Sequence, residues 1–123
     1  MAKDMRVTLL LDFYGDLLTE KQREALELYY NDDLSLGEIG EDFGISRQGV
    51  RDNIKRAEAI LFEMEEKLGL AEKFSKIQQK LSSIRTQIDI IDQKNIKIYR
   101  SKEINESIKV ILKELDELDK LNE

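Results

Sequence analysis

The stretch from Ser35 to Ile54, SLGEIGEDFGISRQGVRDNI, constrains the fold of this chain more than any other. Ser35 and Glu38 have the spacing of a capping box, in which the serine hydroxyl accepts from the Glu38 amide and the glutamate reaches back to the Ser35 amide. Leu36, Ile39 and Phe43 recur at three and four residues as one apolar stripe, and Gly40 between them leaves room for a second helix to approach closely. Gly44 can take the left-handed conformation that ends a helix, with Ile45 expected to fold back on the apolar face. Ser46 is a good N-cap for the next helix. Val50, Ile54, Ala57, Leu61, Met64 and Leu68 then line one side of that helix, which leaves Arg47, Gln48, Arg51 and Lys55 on other faces. Two short helices joined this way have the spacing of a helix-turn-helix, whose second helix can enter the DNA major groove.

The flanking residues extend the helical pattern. Helices are predicted over about 3–16, 20–31, 36–43 and 47–68. Val7, Leu10, Leu11, Tyr14 and Leu18 line the first, and a second capping box, Thr19 with Gln22, starts the next. Ala25, Leu26, Leu28 and Tyr29 give that helix its buried side. These aromatics are read as core, with Tyr30 left open, because base-stacking rings need an exposed basic setting. Proline is absent and 37% of the residues are charged in helical periods, which together point to an all-α protein.

Gly69 marks a boundary, since all six glycines lie at or before it, and it separates a head over 1–70 from a coiled-coil-like extension over 71–123. Phe74, Ile77, Leu81, Ile84, Ile88 and Ile91 alternate steps of three and four as a coiled-coil seam. After a break near Arg100 and Ser101, the pattern resumes with Ile104, Ile108, Ile111, Leu115 and Leu118. Two helices of opposite direction, or one long helix pairing with another subunit, satisfy it. Between Lys73 and Lys102 there are eight basic residues against two acids, whereas Glu103 to Glu123 carries seven acids against three lysines. Such charges flank helix seams and set pairing or register. The alternative is that Lys73, Lys76, Lys80 and Lys97 form a secondary basic surface for RNA or DNA phosphate.

The inventory excludes several chemistries. With no Cys and no His, disulfides, ordinary zinc sites and Ser-His-Asp or Cys-His catalysis cannot be built. Asp32, Asp33, Glu41 and Asp42 lack the spacing of an EF-hand loop, so neither metal nor cofactor is expected. Leu9 to Leu11 is too short an apolar run for a signal peptide, and no segment reaches the roughly 20 apolar residues that span a bilayer. A cytoplasmic, non-enzymatic protein without membrane contact is expected. A head of about 70 residues buries only about 60% of its unfolded surface, which favours help from a packed extension or a homodimer. The net charge of −6 argues against nonspecific nucleic-acid binding, because the summed field repels phosphate at long range.

From Leu18-Thr19-Glu20-Lys21-Gln22-Arg23 through Leu28-Tyr29-Tyr30 to Gly44-Ile45-Ser46-Arg47 and Arg51, roughly residues 18–61, the chain resembles region 4 of bacterial primary sigma factors. Over VTLLLDFYGDLLTEKQREALELYYNDDLSLGEI and FGISRQGVRDNIKRAE it is similar to the small YlxM-like proteins, often encoded beside signal recognition particle genes. The resemblance implies a sigma-region-4-like helix-turn-helix head and a regulatory role linked to the signal recognition particle pathway. It maps Arg47 and Arg51 onto basic positions that contact promoter DNA. It also shows departures: Gln48 stands where sigma factors carry an acidic base-reading residue, Asp52 replaces a glutamine, and Asn53 replaces an apolar residue.

In a DNA reader, Arg47 and Gln48 occupy the first turn of the recognition helix, where arginine suits guanine O6 and N7 and glutamine suits adenine N6 and N7. Arg51, Lys55 and Arg56 approach phosphate, and the charge of Asp52 opposes it. Gly49, inside the helix, costs roughly 1 kcal/mol relative to Ala, and either permits close approach or is tolerated. The expected function is a DNA-binding regulator of helix-turn-helix type; the alternative is a module that docks on signal recognition particle RNA or protein without reading DNA sequence.

Overall fold

Apolar residues at helical spacing and three side-chain N-caps build the N-terminal half. Val7, Leu10, Leu11 and Tyr14 are the buried side of α1 (Arg6–Tyr14), which tightens into a 3-10 turn at Gly15–Leu17. At Thr19 both bonds of the capping box form and start α2 (Glu20–Leu26). Ser35 and Glu38 do the same for α3 (Leu36–Phe43), and the Ser46 hydroxyl accepts from the Gly49 amide at the start of α4 (Arg47–Leu68). Helices α1, α2 and α3 all pack on α4. Their core comprises Val7, Leu10, Leu11, Tyr14, Leu18, Ala25, Leu26, Tyr29, Ile39, Val50, Ile54, Ala57, Leu61 and Ala71. Each large apolar side chain buried there contributes about 1.5–3 kcal/mol. Leu68, at the end of the expected stripe, remains exposed, and Met64 is half-buried.

The computed structural model describes residues 1–121; among them the fold is all-α, with six α-helices and no strand. Two compact units divide after Ala71. No helix among the described residues is long and apolar enough to cross a membrane.

Two local details depart from the periodicity. The first helix begins at Arg6 rather than near residue 3, because the preceding residues form a strap. Lys3 Nζ donates to the Tyr29 carbonyl and to Asp33 Oδ1, each at 2.7 Å, and lies 4.5 Å from the Tyr29 ring centroid. The Asp4 amide donates to the Tyr30 hydroxyl. The second departure is at the end of α2, where Glu27–Asn31 widens into a π turn. There Tyr29 is buried while Tyr30 crosses it edge-on, with ring centroids 5.3 Å apart. The Tyr30 hydroxyl donates to Glu58 Oε1 at 2.6 Å, which gives this aromatic a structural tie to α4.

Gly69 closes α4 in the left-handed conformation, at φ +62°. The next helix, α5 (Leu70–Lys94), begins immediately, so its first amides need acceptors from elsewhere. The Tyr14 hydroxyl accepts from the Leu70 amide and donates to Glu65 Oε1 at 2.7 Å, and the same oxygen accepts from the Ala71 amide. Burial raises the Tyr14 pKa from its ordinary value, and the adjacent Glu65 carboxylate raises it further, so the phenol is a neutral donor.

The C-terminal unit is a helical hairpin. Helix α5 passes through a π turn at Asn95–Tyr99, the chain reverses at Arg100 (φ +51°), and α6 (Lys102–Leu121) returns. The buried Asn95 carboxamide donates to the Ser101 carbonyl at 3.0 Å and accepts from the Ser101 amide at 2.8 Å. Arg85 bonds both Asp116 and Asp119 across the hairpin, at 3.0 and 2.6 Å. The expected seam divides: Leu81, Ile88, Ile108 and Leu115 are buried, whereas Ile77, Ile84, Ile91, Ile104, Ile111 and Leu118 stay 37–46% exposed. The hairpin is rotated so that half-buried Gln78, Arg85 and Asp92 of α5 and Asn105, Leu112 and Asp119 of α6 share the inner side with the buried row, which leaves the second apolar row at its edge.

Replacing Tyr14 by Phe removes the hydroxyl that serves both Glu65 and the Leu70 amide. The expected result in urea unfolding is a loss of about 1–2 kcal/mol with helical circular dichroism retained. The raised pKa adds a pH signature: this contribution is complete below the ordinary tyrosine value of 10.0 and is lost as pH climbs through the higher folded value. Tyr14→Phe therefore flattens the alkaline decline in stability.

Candidate nucleic-acid interface

The turn between α3 and α4 is set by backbone geometry. Gly44 adopts φ +69° and its amide returns to the Gly40 carbonyl, which also accepts from the Ile45 amide. A Cβ on Gly40 would stand 2.7 Å from the Ile45 carbonyl oxygen and 3.6 Å from Val50 Cγ2. Close approach at Gly40 thus involves the turn backbone as well as the facing helix. Ile45 does not sink into the apolar face as expected: it is 46% exposed and lies against Gly49, whose added Cβ would be 3.6 Å from Ile45 Cδ1. The left-handed residue turns Ile45 toward the first turn of α4 instead. Gly49 accordingly serves a local contact, with Ser46 Oγ 3.3 Å from that same Cβ position.

Complete burial of Val50, Ile54, Ala57 and Leu61 fixes the rotation of α4 about its axis. Arg47, Gln48, Arg51, Lys55 and Arg56 are all exposed as a result. The Arg47 stem lies over Gly37 of α3, with Cδ and Nε 3.8 Å from where a Cβ would be. Gln48 Nε2 donates to Asp52 Oδ1 at 3.0 Å. Glu58, the other acid within reach along the helix, accepts from Tyr30. Arg47, Arg51, Lys55 and Arg56 make no ion pair among the described residues. Between Arg47 and Arg56 there are four cations and one acid, a local excess that the chain's overall charge conceals. Asn53 is half-buried beside the fully buried Ile54.

The secondary basic residues are more dispersed. Lys73, Lys76, Lys80 and Lys97 are exposed, but Lys76 pairs with Glu72 at 3.2 Å. Lys97 follows Lys76 by 21 positions, roughly 30 Å of helix. These four do not make one patch. The Gln48–Asp52 bond and the Arg47–Gly37 contact escaped the sequence reading; only the four-residue spacing of the first pair hinted at it.

Residues 1–110 match the family UPF0122, described as "Putative helix-turn-helix protein, YlxM / p13 like". A UPF0122 protein of Thermoanaerobacter sp. (strain X514) is 50% identical over 113 residues, 92% of this chain and 93% of the relative. One of Exiguobacterium sp. (strain ATCC BAA-1283 / AT1b) is 52% identical over 92 residues, 75% of this chain and 86% of the relative. One of Bacillus cereus (strain AH187) is 44% identical over 119 residues, 97% of this chain and 99% of the relative.

The geometry of the turn makes Gly40→Ala disruptive, since its methyl meets the Ile45 carbonyl oxygen rather than a side chain that can rotate away. A loss of about 1–3 kcal/mol is expected in thermal or urea unfolding, against the small gain that alanine gives an unobstructed helix position.

Proposed function

The chain belongs to UPF0122, the YlxM/p13-like family of helix-turn-helix proteins, and from that premise we propose that it is a cytoplasmic, non-enzymatic regulator that binds DNA as a homodimer. One observation carries the reading: the exposed side of α4 holds Arg47, Arg51, Lys55 and Arg56 without ion pairs among the described residues, behind a turn that presents the helix N-terminus. Unpaired arginines need no intramolecular bond broken before they meet phosphate or guanine. In this reading Arg47 and Gln48 meet base edges, and Arg51, Lys55 and Arg56 meet phosphate. The resemblance to YlxM-like proteins supports adding to this reading a link with the signal recognition particle pathway.

Asp52 takes on a useful part here. An adenine edge requires one carbonyl oxygen and one N–H from a glutamine carboxamide. Gln48 has two N–H groups, and Asp52 accepts from its Nε2. A carboxylate accepts only, so it turns the nitrogen toward itself and leaves Oε1 with the second N–H for the base.

Docking on signal recognition particle RNA or protein is the rival. The dispersal of Lys73, Lys76, Lys80 and Lys97 favours DNA over it.

Selection from randomised duplexes, followed by titration of the chosen sequence, tests the reading. Arg47→Ala with Arg51→Ala is expected to abolish binding with helical circular dichroism intact, and the wild-type affinity is expected to fall steeply with salt. Unchanged binding by the double variant would refute the assigned surface. Reversing Lys76, Lys80 and Lys97 is expected to matter less than changing Arg47, and the opposite ranking favours the signal recognition particle. Gln48→Ala is expected to remove roughly 1–3 kcal/mol of discrimination at a single adenine position, with Asp52→Ala blurring that same position and leaving the others unchanged.

A further inference from the structure

Sequence periodicity provides the C-terminal unit with two apolar rows per helix, and the hairpin uses one. On α5 the rows are Leu81 and Ile88, both buried, and Ile77, Ile84 and Ile91, all open; on α6 they are Ile108 and Leu115, buried, and Ile104, Ile111 and Leu118, open. In an antiparallel hairpin, equivalent heptad positions of the two helices turn to the same side. Ile91 of α5 and Ile104 and Ile111 of α6 accordingly line one groove, floored by Ile88 and Ile108. The open residues thus form a continuous apolar face two helices wide, long enough to accept another helical pair and too regular in spacing to be scattered surface residues.

We propose that this face binds the same face of a second copy, closing the two hairpins into a four-helix bundle. This deepens the homodimer element of the proposed function by assigning its surface, and it does not depend on DNA. A second copy fits for two reasons. Its open rows repeat every seven residues on both helices, so a two-fold axis sets the same pattern of side chains on each side of the contact. Its charges also match across the helices: α5 carries five basic residues against three acids, and α6 carries six acids against four lysines. An arrangement that lays α5 of one copy on α6 of the other joins opposite fields, whereas α5 on α5 joins like ones. Within one copy, Arg85 already follows this rule by bonding Asp116 and Asp119.

Sedimentation equilibrium of the full chain tests the proposal. The wild type is expected to show twice the chain mass of 14.4 kDa. Ile84→Lys with Ile111→Lys is expected to raise the dimer dissociation constant by at least about 100-fold, since each charge would lose water on docking. Ile84→Ala with Ile111→Ala keeps good helix formers and leaves the buried row untouched; it is expected to weaken the dimer by about tenfold or more. Ile90→Lys with Ile96→Lys loads the same charge on exposed isoleucines outside the two rows, and the dimer is expected to persist. A wild type that stays monomeric at every concentration overturns both the homodimer and this surface. A dimer that resists both the lysine and the alanine pairs overturns the surface alone. A dimer lost equally with Ile90→Lys and Ile96→Lys also overturns it.

Discussion

Complete burial of Val50, Ile54, Ala57 and Leu61 is the constraint on which the head depends. Helices α1, α2 and α3 all pack on α4, so that row is the common wall of the core. A helix held on one side has no freedom to roll, and its polar side is displayed without further contrivance. The outward arginines are therefore a consequence of packing. The same helix extends past the core to Glu65, whose carboxylate, with the Tyr14 hydroxyl, receives the first amides of α5. One element consequently sets both the candidate interface and the start of the following helix.

An acidic protein can offer a cationic surface when its carboxylates are engaged elsewhere. Asp16 and Glu27 hold Arg23, Asp33 holds Lys3, and Asp116 with Asp119 holds Arg85. Glu58 and Glu65 serve tyrosine hydroxyls, and Asp52 serves Gln48. Exposed charges farther off act weakly, because ordinary salt screens them beyond about 8–10 Å. What a duplex at the start of α4 would feel most is the stretch from Arg47 to Arg56, which holds four cations against one acid despite the net charge of −6.

Much of this was legible in the residues themselves. Capping boxes at Thr19 and Ser35, the left-handed glycines 44 and 69, and the buried row of α4 are local signals, readable because a side chain and its backbone partner lie within four positions. The α3 and α4 limits follow directly from them. Less was legible where the partner is distant in sequence. The strap at Lys3 depends on Tyr29 and Asp33, and the π turn that accommodates Tyr29 and Tyr30 has no periodic signature. Ile45 shows a subtler limit: the glycine before it announced a turn, but not which helix the isoleucine would touch. Likewise, alternation in the C-terminal half gave both apolar rows equal weight, and only the crossing of the helices distinguishes them.

Asn95 has a consequence for how copies of this chain can be joined. Its carboxamide is buried and satisfied by both backbone groups of Ser101, which only a sharp reversal brings alongside. Were 95–101 to straighten into uninterrupted helix, an unpaired amide would lie in an apolar row, at a penalty of several kcal/mol by the usual measure of buried polar groups. Exchange of α6 between molecules through an extended hinge is thereby disfavoured, and with it the open-ended polymers that such exchange can seed.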